Sequence, residues 1–162
     1  MRLLLSTLVL FLLWMMFVAS LDPQEIVTGL FVAFFTSLIT GSVIAGKEPL
    51  KWLSPKRWFY FFLFALYFIK ELTLANLDVA YRVIHPRLPI NPGIVRVKTK
   101  LKTPIAKLVL ANSITMTPGT ITVDVHGDTL YIHWIDVKGK DVETATKNIV
   151  EGFEKYLEVI FE

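Results

Sequence analysis

Between Leu3 and Leu21 the chain carries no charged side chain, with Arg2 just before the run and Asp22 just after it. At about 1.5 Å per helical residue, a run of this length just crosses a hydrocarbon core of about 30 Å. A secretory signal is the rival reading, with Arg2 as its basic end and Val18-Ala19-Ser20 as a small-residue cleavage site. The apolar stretch is longer than a typical signal core, so a retained span is expected. A hydrophobic fraction of 54% and a mean hydropathy of +0.55 agree with a membrane class for a chain of 162 residues.

After the turn Asp22-Pro23-Gln24-Glu25 a second uncharged run extends from Ile26 to Ala45. Gly29, Ser37, Gly41 and Ser42, with Thr28, Thr36 and Thr40, punctuate its Phe and Leu. Small residues let helices approach closely in lipid, so this run is expected to pack on another helix, forming a hairpin with the first. The loop Gly46 to Arg57 carries four basic residues against one acid. Positive-inside asymmetry places it in the cytoplasm.

Trp58 to Ile69 is uncharged and aromatic but only about 18 Å long as a helix, too short to span alone. It continues through Lys70-Glu71 into an amphipathic stretch to Ile84, with Glu71, Asp78 and Arg82 on one face. Such a helix is either embedded in one leaflet or crosses with Lys70 snorkelling. Arg82, Arg87, Arg96, Lys98, Lys100, Lys102 and Lys107 follow one another with no acid between, a cytoplasmic signature. Two spans plus a third embedded helix satisfy both flanks.

The remainder reads as a small domain. Residues 85–93 hold three of the eight prolines and form an extended linker. Ile94 to Leu101 alternates Val95, Val97 and Thr99 against Arg96, Lys98 and Lys100, a strand with a basic outer face. Thr103 as N-cap and Pro104 at the first position predict a helix to Ser113. Thr117-Pro118-Gly119-Thr120 reads as a tight turn, since Pro presets φ and Gly accepts a positive one. Ile121, Val123 and Val125 then alternate with Thr122, Asp124 and His126, predicting a strand with one apolar face. His126-Gly127-Asp128 closes a hairpin onto a strand from Thr129 to Val137, whose Leu130, Ile132 and Trp134 share a face. Asp141 caps one last helix, whose glutamates suggest a solvated or partner-facing surface. The order β-α-β-β-α predicts an α+β domain over 94–162, behind a membrane region 1–84 and the linker 85–93.

Little here suggests chemistry. Without cysteine, no disulfide, zinc–thiolate or iron–sulfur site is available, and His85, His126 and His133 lack ligand spacing. The hydroxyls of Ser113, Thr115, Thr117, Thr120 and Thr122 have no nucleophile elbow or activating base around them. They are expected to cap the helix end and satisfy the turn. Lys70 and Glu71 border an apolar run and could relay ions, yet neighbours on a helix point about 100° apart and are not expected to form a common site. The basic strand face suits anionic headgroups better than nucleic acid.

Pro92-Gly-Ile-Val95, Leu110-Ala-Asn-Ser-Ile-Thr-Met-Thr-Pro-Gly-Thr-Ile-Thr-Val-Asp124 and Leu130-Tyr-Ile-His-Trp-Ile-Asp136 resemble the E-type component of multi-subunit Mrp (Mnh) sodium/proton antiporters. So do Lys70-Glu-Leu and Ala75-Asn-Leu-Asp-Val-Ala80, although Met116 stands where leucine is common. The resemblance covers essentially the whole chain. It implies a non-catalytic, multi-pass plasma-membrane subunit beside other small and large subunits, in an antiporter or a membrane-bound hydrogenase-type complex. No cofactor and no nucleic acid is expected, and the lipid bilayer is a partner. Lys70, Glu71, Asn76, Asp78, Asn112, Thr115, Thr117, Pro118 and Gly119 are the candidate interaction residues. A docking surface shaped by the Pro118-Gly119 turn is the sharpest expectation.

Overall fold

A computed structural model of the chain describes residues 2–44, 54–139 and 141–162, in two compact units that divide after Ser54. Most of the basic loop expected at Gly46–Arg57 lies outside the described residues.

The first unit is a pair of helices, α1 (Arg2–Val18) and α2 (Pro23–Ile44). α1 stops at Ala19, whose backbone turns to φ +51° while its N–H still reaches the Met15 carbonyl at 2.9 Å. Asp22 Oδ1 accepts from Gln24 N at 2.9 Å and starts α2, with Pro23 at its first position. Gly29, Ala33 and Ser37 recur every four residues and so line one face of α2. The indole of Trp14 fills the space over Gly29, where a β-carbon would lie 2.3 Å from it. Further along, the hydroxyls of Thr7 and Ser37 meet at 2.6 Å, with Ser6 and Ser37 buried. The small-residue face is therefore the helix–helix face, and Leu4, Leu8, Phe17, Phe31 and Ile39 stand exposed around it.

The second unit begins with α3 (Pro55–Ile84) and continues β1 (Gly93–Lys98), α4 (Pro104–Met116), β2 (Thr120–His126), β3 (Thr129–Trp134), α5 (Val142–Ile149) and α6 (Glu151–Phe161). The strands form one antiparallel sheet in the order β1-β3-β2. As its alternation predicts, β1 buries Val95 and Val97 and exposes Arg96 and Lys98. Thr103 caps α4, its hydroxyl accepting from Ala106 N at 3.4 Å, and Asp141 caps α5, accepting from Thr144 N at 2.8 Å. Gly127 takes φ +61° in the hairpin turn between β2 and β3. Val97, Leu130 and Ile132 from the sheet meet Leu110 and Ile114 from α4 and Phe153, Leu157 and Ile160 from α6 in one core. Each such side chain contributes about 1.5–3 kcal/mol on burial.

Four expectations are corrected. The last helix is two, α5 and α6, joined at the buried Val150. Glu154 is not part of a solvated acidic face: it is 5% exposed and accepts from the Thr99 hydroxyl and from Lys100 N, which ties α6 to the end of β1. β3 ends at Trp134 rather than Val137, because the chain beyond it pairs with residue 91 instead. The single apolar face expected on β2 does not exist. A bulge between Thr122 and Asp124 shifts the register, so Ile121 opposes His133 while Val125 opposes Leu130. Ile121 and Val123 remain 55% and 58% exposed, and Thr120 and Thr122 face α4 instead.

α3 belongs by packing to this unit, whereas its hydropathy groups it with the apolar half of the sequence. Tyr60, Phe64, Tyr67 and Phe68 recur at helical spacing and pack on the core. Phe153 receives the rings of Tyr67 at 5.3 Å and of Phe64 and Phe68 at 6.4 Å. At the start of the helix, Arg57 Nη1 donates to the Ile160 carbonyl at 2.7 Å.

Candidate functional site

The second half of α3 crosses the turn after α4 and the segment after β3, leaving a cleft of about 290 Å³ between them. Glu71, Asp78 and Arg82 line it from α3, Thr117 to Thr120 from the turn, and Asp136 and Lys138 from the segment after β3.

Arg82 organises this cleft. It is nearly buried, and all of its donor groups point to acceptors. Nε donates to Asp78 Oδ2 at 2.7 Å and Nη2 to Asp78 Oδ1 at 3.1 Å, a bidentate pair one helical turn apart. Nη2 also donates to Asp136 Oδ2 at 2.9 Å, and Nη1 donates to the Pro89 carbonyl. One side chain thus joins α3, the proline segment and the chain after β3. That segment is not a loose linker. Asn91 N donates to the Ile135 carbonyl at 3.0 Å, Val137 N to the Asn91 carbonyl at 2.9 Å, and the Asn91 amide to the Val137 carbonyl at 3.2 Å.

The turn is held by its own hydroxyls. Thr117 Oγ1 donates to the Ile114 carbonyl at 2.7 Å, and Thr120 Oγ1 lies 2.7 Å from the same carbonyl and 3.1 Å from Thr117 Oγ1. Thr115 Oγ1 donates to the Ala111 carbonyl at 2.9 Å and accepts from Thr122 N at 3.1 Å, fastening β2 to α4. Gly119 adopts φ +91°, where side chains are disfavoured, and its carbonyl accepts from Ile135 N at 2.8 Å. A β-carbon there would lie 2.9 Å from Ile135 Cγ2 and 3.6 Å from Val79 Cγ2, so only glycine lets the turn nest between β3 and α3.

Of the nine candidate residues, Glu71, Asp78, Thr117, Pro118 and Gly119 are brought together around this cleft. Thr115 supports it from α4. Asn112 lies exposed elsewhere on α4, and Asn76 is exposed with its amide turned back to the Leu72 carbonyl at 2.7 Å. Lys70 Nζ and Glu71 Oε1 meet at 3.3 Å because both side chains are long enough to fold towards each other, but only Glu71 lines the cleft. Lys70 is mostly exposed, so the pair adds little. Arg82, Asp136 and Lys138 also line the cleft, and Asn91 holds the segment after β3 from outside it. Arg82 had a sequence signal in its i,i+4 spacing from Asp78. Asp136 had none, since its partner lies 54 positions away.

This arrangement binds and fastens. The cleft's arginine is neutralised by two carboxylates, and its threonine hydroxyls are committed to backbone groups. His126 pairs with Asp124 at 2.8 Å at the exposed end of the hairpin and does not line the cleft. Among the described residues no group of three or more His, Cys, Asp or Glu is placed to hold a metal ion.

Comparison with known proteins gives a consistent result. A family model described as "Na+/H+ ion antiporter subunit" matches residues 7–160. The E-type component of the Na(+)/H(+) antiporter of Alkalihalophilus pseudofirmus is 47% identical over 90 residues, 54% of this chain and 56% of that protein, so the matched stretch spans just over half of this relative. Its E1-type counterpart from Staphylococcus epidermidis is 28% identical over 152 residues, covering 93% of this chain and 91% of that one. A chain in the structure of the membrane-bound sulfane sulfur reductase (MBS), an archaeal respiratory membrane complex, is 50% identical with a TM-score of 0.81, over 99% of both chains. With a family model spanning nearly its whole length, the chain belongs to the family of E-type Na+/H+ antiporter subunits.

Proposed function

We propose that this chain is an accessory, non-catalytic subunit of a multi-subunit membrane cation/proton antiporter module, and that it contributes to assembly and stability of the complex. In this reading α1 and α2 cross the bilayer and the α+β unit lies on the cytoplasmic side, which the excess of basic residues in the second half supports. The observation that carries this reading is the likeness, over 99% of both chains, to a subunit of an archaeal respiratory membrane complex. It favours a module built into a redox-driven complex over a stand-alone antiporter.

The chemistry of the chain supports an accessory role. A subunit on the ion path keeps ionisable groups deep in its spans despite their cost in lipid. Leu3 to Leu21 and Ile26 to Ala45 contain none. Arg82, Asp78 and Asp136 are spent on holding α3 to the segment after β3, which suits a docking module rather than a relay.

Purification of the tagged chain from its native membrane in mild detergent tests the proposal. Co-elution with large polytopic antiporter-like subunits is the expected result. Elution of the chain alone would favour a membrane-anchored scaffold unrelated to ion transport and would overturn it.

A further inference from the structure

α3 offers two opposite faces, and the inner one is spent. The outer one runs through Trp58, Phe62, Leu66, Ile69, Leu77 and Tyr81 and is exposed along its length. Their spacing of three and four, with Thr73 at the remaining place, keeps them on one stripe. The polar groups that interrupt this side are satisfied within the helix: Thr73 Oγ1 donates to the Ile69 carbonyl at 2.7 Å, as the Asn76 amide does to Leu72. Aromatic residues stand at both ends, Trp58 and Phe59 at one and Tyr81 at the other.

Length and composition alone let α3 pass for a membrane span, since it is 30 residues long and apolar. Its attachments exclude that. Arg57 and Arg82 lie about 37 Å apart along the helix axis at about 1.5 Å per residue, more than a hydrocarbon core of about 30 Å. Yet Arg57 is bonded to Ile160 and Arg82 to Asp136, both in the same small unit. Were α3 to cross, this unit would have to cross with it, carrying Arg96, Lys98 and Glu154 into lipid.

We infer that α3 lies in the plane of the bilayer interface, with its outer stripe in the boundary between headgroups and acyl chains and its inner face holding the α+β unit against the membrane surface. The occupant of the exposed stripe is lipid. The chemistry fits that partner: a broad apolar and aromatic face, amphipathic residues at both ends, and Lys56 and Lys70 beside it for anionic headgroups. The inference deepens the proposed function and rests on its membrane reading. It fixes Ser54 and the chain from Arg87 onwards on one side of the membrane.

The chain has no cysteine, so single-cysteine variants test this directly. Full-length chain carrying Phe62→Cys, Leu66→Cys or Leu77→Cys, each a surface position, is spin-labelled in phosphatidylcholine/phosphatidylglycerol nanodiscs. Collision rates with oxygen and with a water-soluble nickel chelate then give depth. The three labels are expected at one shallow depth, with Leu12→Cys on α1 markedly deeper. A membrane-impermeant thiol reagent applied to one face of sealed phosphatidylcholine/phosphatidylglycerol vesicles is expected to modify Ser54→Cys and Arg87→Cys from the same side. Depth that rises and falls along α3, with Ser54→Cys and Arg87→Cys on opposite sides, would overturn the inference. Labels at 62, 66 and 77 that are fully water-accessible, or covered by a second copy of the chain, would overturn it as well. If Leu12→Cys also proved water-accessible, the membrane reading itself would fall.

Discussion

The phenol oxygen of Tyr67 lies 1.9 Å from the position a β-carbon would take on Gly152. α3 can therefore approach α6 this closely only because residue 152 has no side chain. The ring of Tyr67 then packs on Phe153 and Tyr156, at 5.3 and 5.4 Å between centroids.

Gly152→Ala should lower stability by about 1–3 kcal/mol, the usual cost of inserting a methyl group into a packed contact. Thermal unfolding of the full chain in detergent measures it. Tyr67→Phe in the Gly152→Ala background should restore part of the loss by removing the oxygen, but not all, because the ring carbon Cζ would still lie 2.7 Å away. Equal stability of Gly152→Ala and the unmodified chain would show that the two helices are not in contact.

Gly119→Val should cost more than a surface substitution on two grounds. A β-branched residue at φ +91° is strained by about 1–3 kcal/mol, and its side chain would collide with Ile135. The readouts are the melting temperature and, in the native membrane, the amount of assembled complex recovered. Gly127→Ala, at φ +61° with nothing within 4 Å of the added carbon, should show only the smaller backbone cost.

Arg82→Leu should loosen α3 from the sheet. Removing one partner of a buried ion pair costs roughly 3–5 kcal/mol, and the loss here should fall at or below that range because Asp78 and Asp136 keep solvent access. Asp136→Asn removes the long-range carboxylate yet leaves the Asp78 pair, so a smaller loss is expected. The protease sensitivity of residues 85–92 should rise in both variants, since Pro89 and Asn91 are held by the same cluster.

Acid should weaken the second unit through Glu162. Partial burial raises its pKa, but the backbone N–H groups of Thr103 and Lys102 outweigh that and hold the carboxyl below its usual 4.5. A depressed folded pKa adds stability above the unfolded value and loses it as pH falls through the folded one. The melting temperature should therefore hold from neutral pH down to about 4.5 and drop below it. Glu162→Gln should flatten that drop. Asp141, held down by its bond to Thr144 N, contributes with the same sign.

Much of the fold could be read from residue order, because hydrophobic period and capping chemistry are local. Thr103-Pro104, Asp141, Gly119 and Gly127 stand where the elements start or turn. What could not be read depends on pairing across the chain. The bulge in β2 changes which side chains face inward without altering the alternation of residue types, so Ile121 and Val125 look equivalent in sequence and are not. Glu154 looks like any solvent-facing glutamate until Thr99 and Lys100 are folded against it. The cleft was half visible: Glu71, Asp78 and the Thr-Pro-Gly turn carry local signals, whereas Asp136 and Asn91 act only through distant partners.

The strand order β1-β3-β2 has a bearing on how the chain comes off the ribosome. β1 emerges early but among the described residues its strand partner is β3, and the aromatic inner face of α3 waits still longer, for Phe153 of α6. Until the last residues are made, α3 is uncovered on both sides. A nascent chain in that state is sticky towards any apolar surface it meets. On the interfacial placement inferred for α3, delivery to the membrane during synthesis would shelter one side of this helix before the other finds its partner.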